Sequence, residues 1–218
     1  MIKNKVTGDL IILSGPSGSG KDSVVGKILN KDLTLAVSAT TRSKREGEVD
    51  GVDYFFLTKE EFESKIEADD FLEYAIVHNK DYYGTLKSEV IKKLEKKEDV
   101  VLVIDIKGAL LIKEKFPSAI FIFLLPPSVQ ILKERLILRN TEDKDSMLRR
   151  FTSLYKEINS ISKYNYVVIN DDLDEAASKI KSILVSEKCR VDRIDDLVID
   201  TKEEEIHEEI ITYFDKTN

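Results

Sequence analysis

The stretch LIILSGPSGSGKDSVVGKIL, residues 10–29, constrains the fold more than any other part of the chain. Its apolar start predicts a buried strand, and the Gly, Pro and Ser residues that follow predict a tight turn. Val24, Val25, Ile28 and Leu29 then fall on one face of a helix. A buried strand that passes through a short turn into a helix is the repeating unit of a parallel α/β sheet.

Further apolar runs alternate with segments of helical periodicity along the chain. Because the runs are apolar at nearly every position, they predict strands covered on both faces by helices. We therefore expect an α/β fold of three layers around a mostly parallel, five-stranded sheet. The predicted strands are Asp9–Ser14, Thr34–Ala39, Asp99–Asp105, Ala119–Leu125 and Tyr166–Asn170.

Helices are indicated by the spacing of apolar residues between these strands. One such set is Val90, Ile91 and Leu94, and another is Val129, Leu132 and Leu136. A last helix is predicted from Asp171 to Val185, and either Asp171 or Asp172 would serve as its N-cap.

Two polar segments do not fit this alternation, Thr40–Gly84 and Arg139–Arg150. Insertions that follow the carboxyl ends of parallel strands commonly bind ligands or form lids. We expect both segments to serve the functional site.

Composition narrows the class of protein. The 218 residues are 42% hydrophobic and 34% charged, no apolar run reaches a membrane-spanning length, and the start lacks the apolar stretch of a signal peptide. The lone Cys189 suits a reducing compartment, and His78 and His207 lie too far apart to indicate a zinc site. We therefore expect a cytoplasmic protein with no membrane partner.

The net charge of −7 is concentrated near the C-terminus. Residues 187–218 contain 11 acidic and 5 basic side chains, a net −6, so the rest of the chain is almost neutral. A nearly neutral body argues against a nucleic-acid-binding surface.

The glycine-rich turn carries the spacing of a phosphate-binding loop, G-x-x-x-x-G-K, from Gly15 to Lys21. Glycines let backbone N–H groups turn toward an anion, the helix adds its positive end, and the lysine adds a charge for the β and γ phosphates. An ordinary glycine turn is the alternative, although the strand–turn–helix context argues against it. Gly18, Pro16, Ser17 and Ser19 complete the loop.

The residue after the lysine departs from the pattern. Asp22 stands where a Ser or Thr usually helps to bind magnesium, and Ser23 follows it. A carboxylate about 4 Å from a phosphate charge is repelled by about 4 kcal/mol at an effective dielectric constant near 20. Asp22 must therefore point away, where the helix dipole stabilises it, or meet the phosphates through a cation.

A basic cluster lies in Ser38–Phe56, where Arg42, Lys44 and Arg45 fall within four residues. On charge alone, a solvated basic loop would be the simpler interpretation. Its neighbours, the phosphate loop and the segment FLEYAIVHNKDYYGT, favour a second phosphate site.

Taken together, these segments resemble the guanylate kinase family. The resemblance extends in order over residues 9–187, and several of its segments are specific to that family. The matching segments are SGPSGSGK (14–21), SATTRSKREGE (38–48), DYFF (53–56), FLEY (71–74), YYGT (82–85), IDIKGA (104–109), LPPS (125–128), RLILRNTE (135–142) and INDDL (169–173).

The resemblance implies an acceptor site for GMP. Arg42, Arg45, Tyr54 and Tyr83 would bind its phosphate. Glu73 and Asp105 would accept hydrogen bonds from the guanine N1–H and 2-amino groups. The hydroxyls of Ser38 and Thr85 would approach O6.

The resemblance also implies a donor site for ATP with Mg²⁺. Residues 15–23 would surround the phosphates, and Asn170 would border the adenine. Three lid-region arginines, Arg135, Arg139 and Arg150, would reach the ATP phosphates, with Arg150 rather than its neighbour Arg149 matching the family. The residues expected to act in catalysis are Lys21, Arg42, Arg139 and Arg150.

Elementary chemistry agrees with these roles. Two phosphate groups repel each other, so phosphoryl transfer needs cations around both more than it needs covalent chemistry. Adenine has no 2-amino group and no proton on N1, so it would leave Glu73 unsatisfied. Each assignment has a structural alternative: Glu73 as a surface carboxylate on a strand, Asp105 as a helix cap, and Tyr83 as a packing residue.

The domain boundaries follow from the same motifs. The core comprises residues 1–37, 86–134 and 151–187, the GMP-binding insertion 38–85 and the lid 135–150. An acidic extension, 188–218, is predicted to be helical, with Ile206, Ile210 and Phe214 on one face. That face would dock on the core or on another subunit, as in a homo-oligomer.

The chain also departs from the family pattern. Val103 stands where an acid is usual, Lys107 replaces a common Gln, and Asn140 replaces a glycine. Since one acid is missing and another has appeared, we hypothesise that Asp22 takes over part of the magnesium-binding role, with Ser23 as a further candidate.

The predicted function is transfer of the ATP γ-phosphoryl group to GMP, and also to dGMP. Two alternatives stay open: a catalytically inactive guanylate-kinase-like module that binds phosphopeptides, and a kinase for another nucleoside monophosphate.

Overall fold

A computed structural model describes residues 7–77, 80–128, 130–132, 134, 159–193, 207, 210, 212 and 213. These residues fall into two compact units, one from Thr7 to Ile183 and the other from Leu184 onward. The functional motifs that can be placed all lie in the first unit.

The first unit alternates strands and helices, as the apolar pattern predicts. The strands are β1 Leu10–Ser14, β2 Leu33–Leu35, β3 Ser38–Thr40, β4 Phe55–Phe56, β5 Phe71–Val77, β6 Asp81–Leu86, β7 Asp99–Val103, β8 Ile120–Leu125 and β9 Tyr166–Ile169. The helices are α1 Lys21–Ile28, α2 Lys59–Glu67, α3 Lys87–Glu95, α4 Ile106–Lys115 and α5 Leu173–Glu187, the last of which runs into the second unit. A short 3₁₀ helix spans Ile161–Lys163.

Five strands form the main sheet in the order β2-β7-β1-β8-β9, and all neighbouring pairs are parallel. The central strand β1 is buried throughout, with Ile12 and Leu13 at 0% exposure. Full burial of each such side chain contributes about 1.5–3 kcal/mol to folding. This arrangement confirms the predicted α/β fold and places the carboxyl ends of the strands along one edge.

A second sheet, β4-β3-β6-β5, is built from residues 38–86. β6 pairs antiparallel with both β3 and β5, while β3 and β4 are parallel. The stacked rings of Phe62 and Phe71, with centroids 4.2 Å apart, lie in a small separate core with Ala39 and Leu86. This part of the chain therefore has hydrophobic packing of its own.

The prediction of one strand over Thr34–Ala39 is wrong. β2 follows β7 as far as Ala36, whose N–H donates to the Val101 carbonyl over 2.9 Å. The chain then joins the second sheet, where Ser38 pairs with Thr85. Both halves are apolar enough to form strands, so composition did not reveal that they belong to different sheets.

Local signals explain the helix starts. Thr58 and Glu61 form a reciprocal capping box at α2, a helix that the periodicity did not predict. At α5 the Asp172 carboxylate accepts from the Glu175 N–H over 2.9 Å, which confirms one of the two expected N-caps. In the predicted helix around Val129–Leu136, residues 130–132 and 134 are helical.

The second unit carries the acidic extension. Its Glu187 carboxylate is 1% exposed and lies 2.7 Å from Arg193 Nε. A 3₁₀ helix spans Val191–Arg193, and residues 207, 210, 212 and 213 are helical, while Ile206 and Phe214 lie outside the described residues. Among the described helices, none has the length and apolar character needed to cross a membrane.

Candidate active site

The phosphate loop leaves the carboxyl end of β1 and runs from Gly15 to the first residue of α1. Gly18 and Gly20 have φ of 84° and 89°, in the left-handed region that favours glycine. A Cβ on Gly15 would lie 2.2 Å from the Leu124 carbonyl oxygen, so the loop passes directly against β8. The glycines are therefore required by both the turn and the close backbone approach.

Lys21 folds back over the start of this loop. Its Nζ donates to the carbonyl oxygens of Gly15 at 2.7 Å and Pro16 at 3.0 Å. The hydroxyls of Ser14 and Ser19 are buried and have no hydrogen-bond partner within the part of the chain that the structure describes. The loop thus combines an ammonium group held by two carbonyl oxygens with two buried hydroxyls that have no partner among the described residues.

Asn170 lies against the far side of the loop, directly after β9. Its side-chain Nδ2 donates to the Ser19 carbonyl over 2.8 Å, and the residue is 5% exposed. The place of Asn170 beside the adenine stays a prediction, and the contact that the structure shows for its side chain is with the phosphate loop.

Asp22 and Ser23 are exposed in the first turn of α1. Asp22 lines a cavity of about 210 Å³, and Val103, the position where the family usually has an acid, lines the same cavity. Its other lining residues include Ser38, Tyr54 and Thr85. The first turn after the phosphate loop therefore faces the same space as three of the predicted acceptor residues.

The basic cluster is organised around Arg42. Its guanidinium forms a bidentate ion pair with Glu48, with N–O distances of 2.7 and 3.1 Å, and its Nε donates to the Tyr83 hydroxyl over 3.2 Å. Glu48 raises the pKa of Arg42 further, and Arg42 holds the pKa of Glu48 below its usual range. The Arg45 backbone N–H also donates to Glu48, over 2.8 Å.

Glu48 is the last residue of the motif SATTRSKREGE, and the sequence alone assigns it no role. The available signal was its opposite charge, three residues after Arg45 and six after Arg42. The carboxylate orients the arginine pair, because it accepts from one side chain and from the backbone of the other.

Two tyrosines flank Arg42. The Tyr54 and Tyr83 rings meet edge to face at 5.9 Å, and the Arg42 guanidinium lies 5.5 Å from the Tyr54 ring centre. Burial raises the pKa of Tyr54, and the charge of Asp22 across the cavity contributes in the same direction. Tyr83 therefore packs, as the structural alternative held, and also hydrogen-bonds to Arg42.

Glu73 lies on β5 opposite Thr85 of β6. The Thr85 hydroxyl donates to Glu73 Oε1 over 2.9 Å. Burial is the main cause that raises the pKa of Glu73 to about 7, with the charge of Asp105 acting in the same direction and the Thr85 hydrogen bond acting against it. Glu73 is therefore a partly buried carboxylate bonded to Thr85, not a freely exposed one.

Asp105 meets Glu73 at the first turn of α4. As the structural alternative held, its carboxylate caps this helix, accepting from the Gly108 N–H over 2.8 Å. A Cβ on Gly108 would lie 3.0 Å from Glu73 Oε2 and 3.4 Å from Asp105 Oδ1. The missing side chain at Gly108 thus leaves room for both carboxylates.

Three predicted donor-site residues, Arg135, Arg139 and Arg150, lie outside the described residues, so their roles stay predictions. The same holds for the lid segment as a whole and for Asn140.

Comparison with known proteins identifies the family. A family model described as guanylate kinase matches residues 7–187. The chain is 53% identical to guanylate kinase of Clostridium perfringens (strain SM101 / Type A), over 93% of its own length and 94% of that protein. It is 54% identical to guanylate kinase of Clostridium tetani (strain Massachusetts / E88), over 93% and 98% of the respective lengths.

A solved structure agrees. The crystal structure of guanylate kinase from Anaplasma phagocytophilum matches with a TM-score of 0.70 and 30% identity, covering 90% of this chain and 94% of that one. The chain therefore belongs to the guanylate kinase family.

Proposed function

We propose that this chain transfers the γ-phosphoryl group of ATP to GMP, and to dGMP, giving ADP and the nucleoside diphosphate. The observation that carries the proposal is a cavity lined both by Asp22 of the first α1 turn and by Ser38, Tyr54 and Thr85 of the acceptor segment. A phosphoryl group can pass directly between two nucleotides only if their phosphates meet in one space.

On the donor side, the loop from Gly15 to Gly20 would bind the β and γ phosphates through backbone N–H groups and the N-terminus of α1. Lys21 would exchange its two loop carbonyls for phosphate oxygens, placing its charge where negative charge accumulates during transfer. Arg139 and Arg150 would add charge from the lid, and Arg135 would bind the same phosphates.

On the acceptor side, Arg42 and Arg45 would bind the GMP phosphate together with the Tyr54 and Tyr83 hydroxyls. The Glu48 pair keeps the Arg42 guanidinium oriented before substrate arrives, which reduces the entropy lost on binding. A pre-oriented fork suits the bidentate binding of phosphate.

Guanine would be selected at the paired carboxylates. Glu73 would accept from N1–H and the 2-amino group, with Asp105 beside it, while the Ser38 and Thr85 hydroxyls approach O6. An adenine in this position would offer Glu73 no N1–H or 2-amino donor, and the loss of these hydrogen bonds at a partly buried carboxylate costs about 1–3 kcal/mol or more.

Magnesium bound with ATP would neutralise part of the phosphate charge, including the charge that develops during transfer. The described residues contain no cluster of three or more His, Cys, Asp or Glu able to hold a metal. A site with one carboxylate plus phosphates and water suits Mg²⁺, and Asp22, with the Ser23 hydroxyl, supplies that donor set. We propose that Asp22 compensates for the acid absent at Val103.

Binding measurements test this metal role without turnover. Calorimetry of ADP binding with and without Mg²⁺ should show a clear gain from Mg²⁺ in the parent protein, a smaller gain in Asp22→Asn, and recovery in Asp22→Asn combined with Val103→Asp. An equal gain in Asp22→Asn and parent would leave Asp22 with the helix-dipole role alone.

An acceptor panel tests the reaction itself. ADP formation from ATP is followed with GMP, dGMP, AMP, UMP or no acceptor, and we expect activity with the two guanine nucleotides. Activity with AMP or UMP alone would indicate another nucleoside monophosphate kinase, and none would favour a phosphopeptide-binding module.

We further propose a cytoplasmic location and no nucleic-acid or membrane partner, in keeping with the nearly neutral charge outside the tail. The apolar face expected in residues 188–218 would support a homo-oligomer, which the molar mass in solution would reveal.

A further inference from the structure

We propose that Asn170 is a positioning residue of the phosphate loop, whose side-chain amide fixes the direction of the Ser19–Gly20 peptide group. The inference rests on the proposed function, because it takes the loop to be the donor phosphate site. It assigns Asn170 an action through the loop rather than through the adenine.

The contact between Asn170 and the loop is short and enclosed. Nδ2 lies 2.8 Å from the Ser19 carbonyl oxygen, and the Asn170 backbone N–H donates to the Leu125 carbonyl over 2.7 Å. A carbonyl has no proton to give, so the amide nitrogen must be the group that faces Ser19. At 5% exposure, Asn170 has little surface left for a base.

Gly20 is packed against the same amide. A Cβ on Gly20 would lie 2.4 Å from Asn170 Nδ2, and Gly20 has a φ of 89°. The Gly20 carbonyl accepts the first bond of α1, from the Val24 N–H. Asn170 therefore contacts the two residues that join the loop to the helix.

The consequence for phosphate binding follows from peptide geometry. In a planar trans peptide, the C=O of one residue and the N–H of the next point in opposite directions. While Asn170 holds the Ser19 carbonyl, the Gly20 N–H must point to the other side of the loop. Concave sets of N–H groups bind anions, and a carbonyl turned among them would repel phosphate.

The arrangement also ties distant parts of the chain. Asn170 follows β9, while the loop follows β1, and β8 lies between them in the sheet. Gly15 lies against Leu124 at the end of β8, and Gly20 lies against Asn170. The loop is thus supported at both ends by the carboxyl edge of the sheet.

A phosphate probe that lacks a nucleobase distinguishes this role from a contact with adenine. Inhibition by inorganic tripolyphosphate, competing with ATP, is measured for the parent protein, Asn170→Ala and Asn170→Asp. Both variants lose the donor, so we expect inhibition about tenfold weaker, an equal rise in KM for ATP and no change in KM for GMP. Asn170→Ser, with a shorter donor, should recover part of the loss.

Asn165 provides the matched control at the other end of β9. Its Oδ1 accepts from the Phe121 N–H over 2.9 Å, a bond of similar length that lies away from the loop. Asn165→Ala should change inhibition by tripolyphosphate less than about twofold, even if it lowers the thermal midpoint as much as Asn170→Ala.

Three results would overturn the inference. Asn170→Ala could raise KM for ATP with unchanged tripolyphosphate inhibition, which would indicate an adenine contact. Asn165→Ala could weaken inhibition equally, which would indicate general destabilisation. The Asn170 variants could match an active parent in every constant, in which case only the inference fails; a parent without GMP-dependent ADP formation would instead contradict the proposed function.

Discussion

The donor loop is shaped mainly by its backbone, whereas the acceptor segment is organised mainly by its side chains. The loop around Gly15 and Gly20 is shaped by backbone conformation and close backbone packing against β8. The acceptor segment is a network of side chains, in which Arg42 bonds to Glu48 and Tyr83. Backbone recognition tolerates varied side chains such as Asp22, whereas side-chain recognition depends on each residue type.

This difference explains why the two motifs indicate function with different specificity. The G-x-x-x-x-G-K spacing indicated only phosphate binding, since many enzymes use the same backbone device. The acceptor motifs indicate a particular family, because we expect guanine and its phosphate to be recognised there by specific side chains.

The largest effect is expected at Lys21, whose side chain we expect the donor loop to require for phosphoryl transfer. Lys21→Met should lower kcat on the order of a thousandfold, because no backbone group replaces its charge. Steady-state kinetics with ATP and GMP measure the loss. Lys31→Met, an exposed lysine just beyond α1, is the control, and a Lys21 variant within tenfold of the parent would contradict the assignment.

The next largest effect is expected at Glu73. In Glu73→Gln the amide presents an N–H toward a guanine donor, so kcat/KM for GMP should fall about a hundredfold while the rate with AMP does not. Glu60→Gln, an exposed carboxylate on α2, is the control. An unchanged ratio of GMP to AMP activity would show that selection lies elsewhere.

KM for GMP should also depend on pH through Glu73. Because the pKa of Glu73 is about 7, only about a tenth of it is ionised at pH 6, so KM for GMP should be about tenfold higher there than at pH 8. The GMP phosphate itself titrates near pH 6, and Glu73→Gln should retain that part of the profile alone.

The free energy of unfolding should fall as the pH rises, whereas GMP binding should improve. The pKa of Glu73 is higher in the folded protein than in the unfolded chain, so the folded protein binds the extra proton. Its contribution to stability is therefore fully present below about pH 4.5 and is lost as the pH rises through about 7. Denaturant titrations of the parent and Glu73→Gln across this range measure the difference, and parallel profiles would refute it.

The smallest effects come from two glycines six residues apart. Gly20→Ala should cost about 1–3 kcal/mol of unfolding free energy, because φ is 89° and Asn170 fills the space. Gly26, inside α1, has nothing within 4 Å of its Cβ position, so Gly26→Ala should gain about 0.5–1 kcal/mol. Equal effects in urea denaturation would mean that the loop backbone is not constrained as described.

The sequence predicted the features that depend on neighbouring residues. The β1–loop–α1 unit and the cap at Asp172 are local, and both were correct apart from small shifts in the ends. The residues of the capping box, Thr58 and Glu61, are also evident in the sequence. The apolar periodicity did not predict α2, because most of its residues are charged.

Features that depend on distant pairing were not predictable in the same way. The segment Thr34–Ala39 is divided between two sheets because Ser38 pairs with Thr85, a residue that lies much later in the chain. The bonds from Arg42 to Tyr83 and from Asn170 to Ser19 join residues far apart in the chain, so spacing could not reveal them.

The central position of β1 has a consequence for the order of folding. β1 pairs with β7 and β8, so Ile11 must wait for Val101 and Ile120, whereas β5 and β6 are consecutive and pair locally. Pairings between distant segments form late, because the intervening chain must first be closed into a loop. During synthesis the donor loop is thus among the first segments to leave the ribosome and among the last to be completed, since Asn170, which contacts it, emerges after every strand of the main sheet.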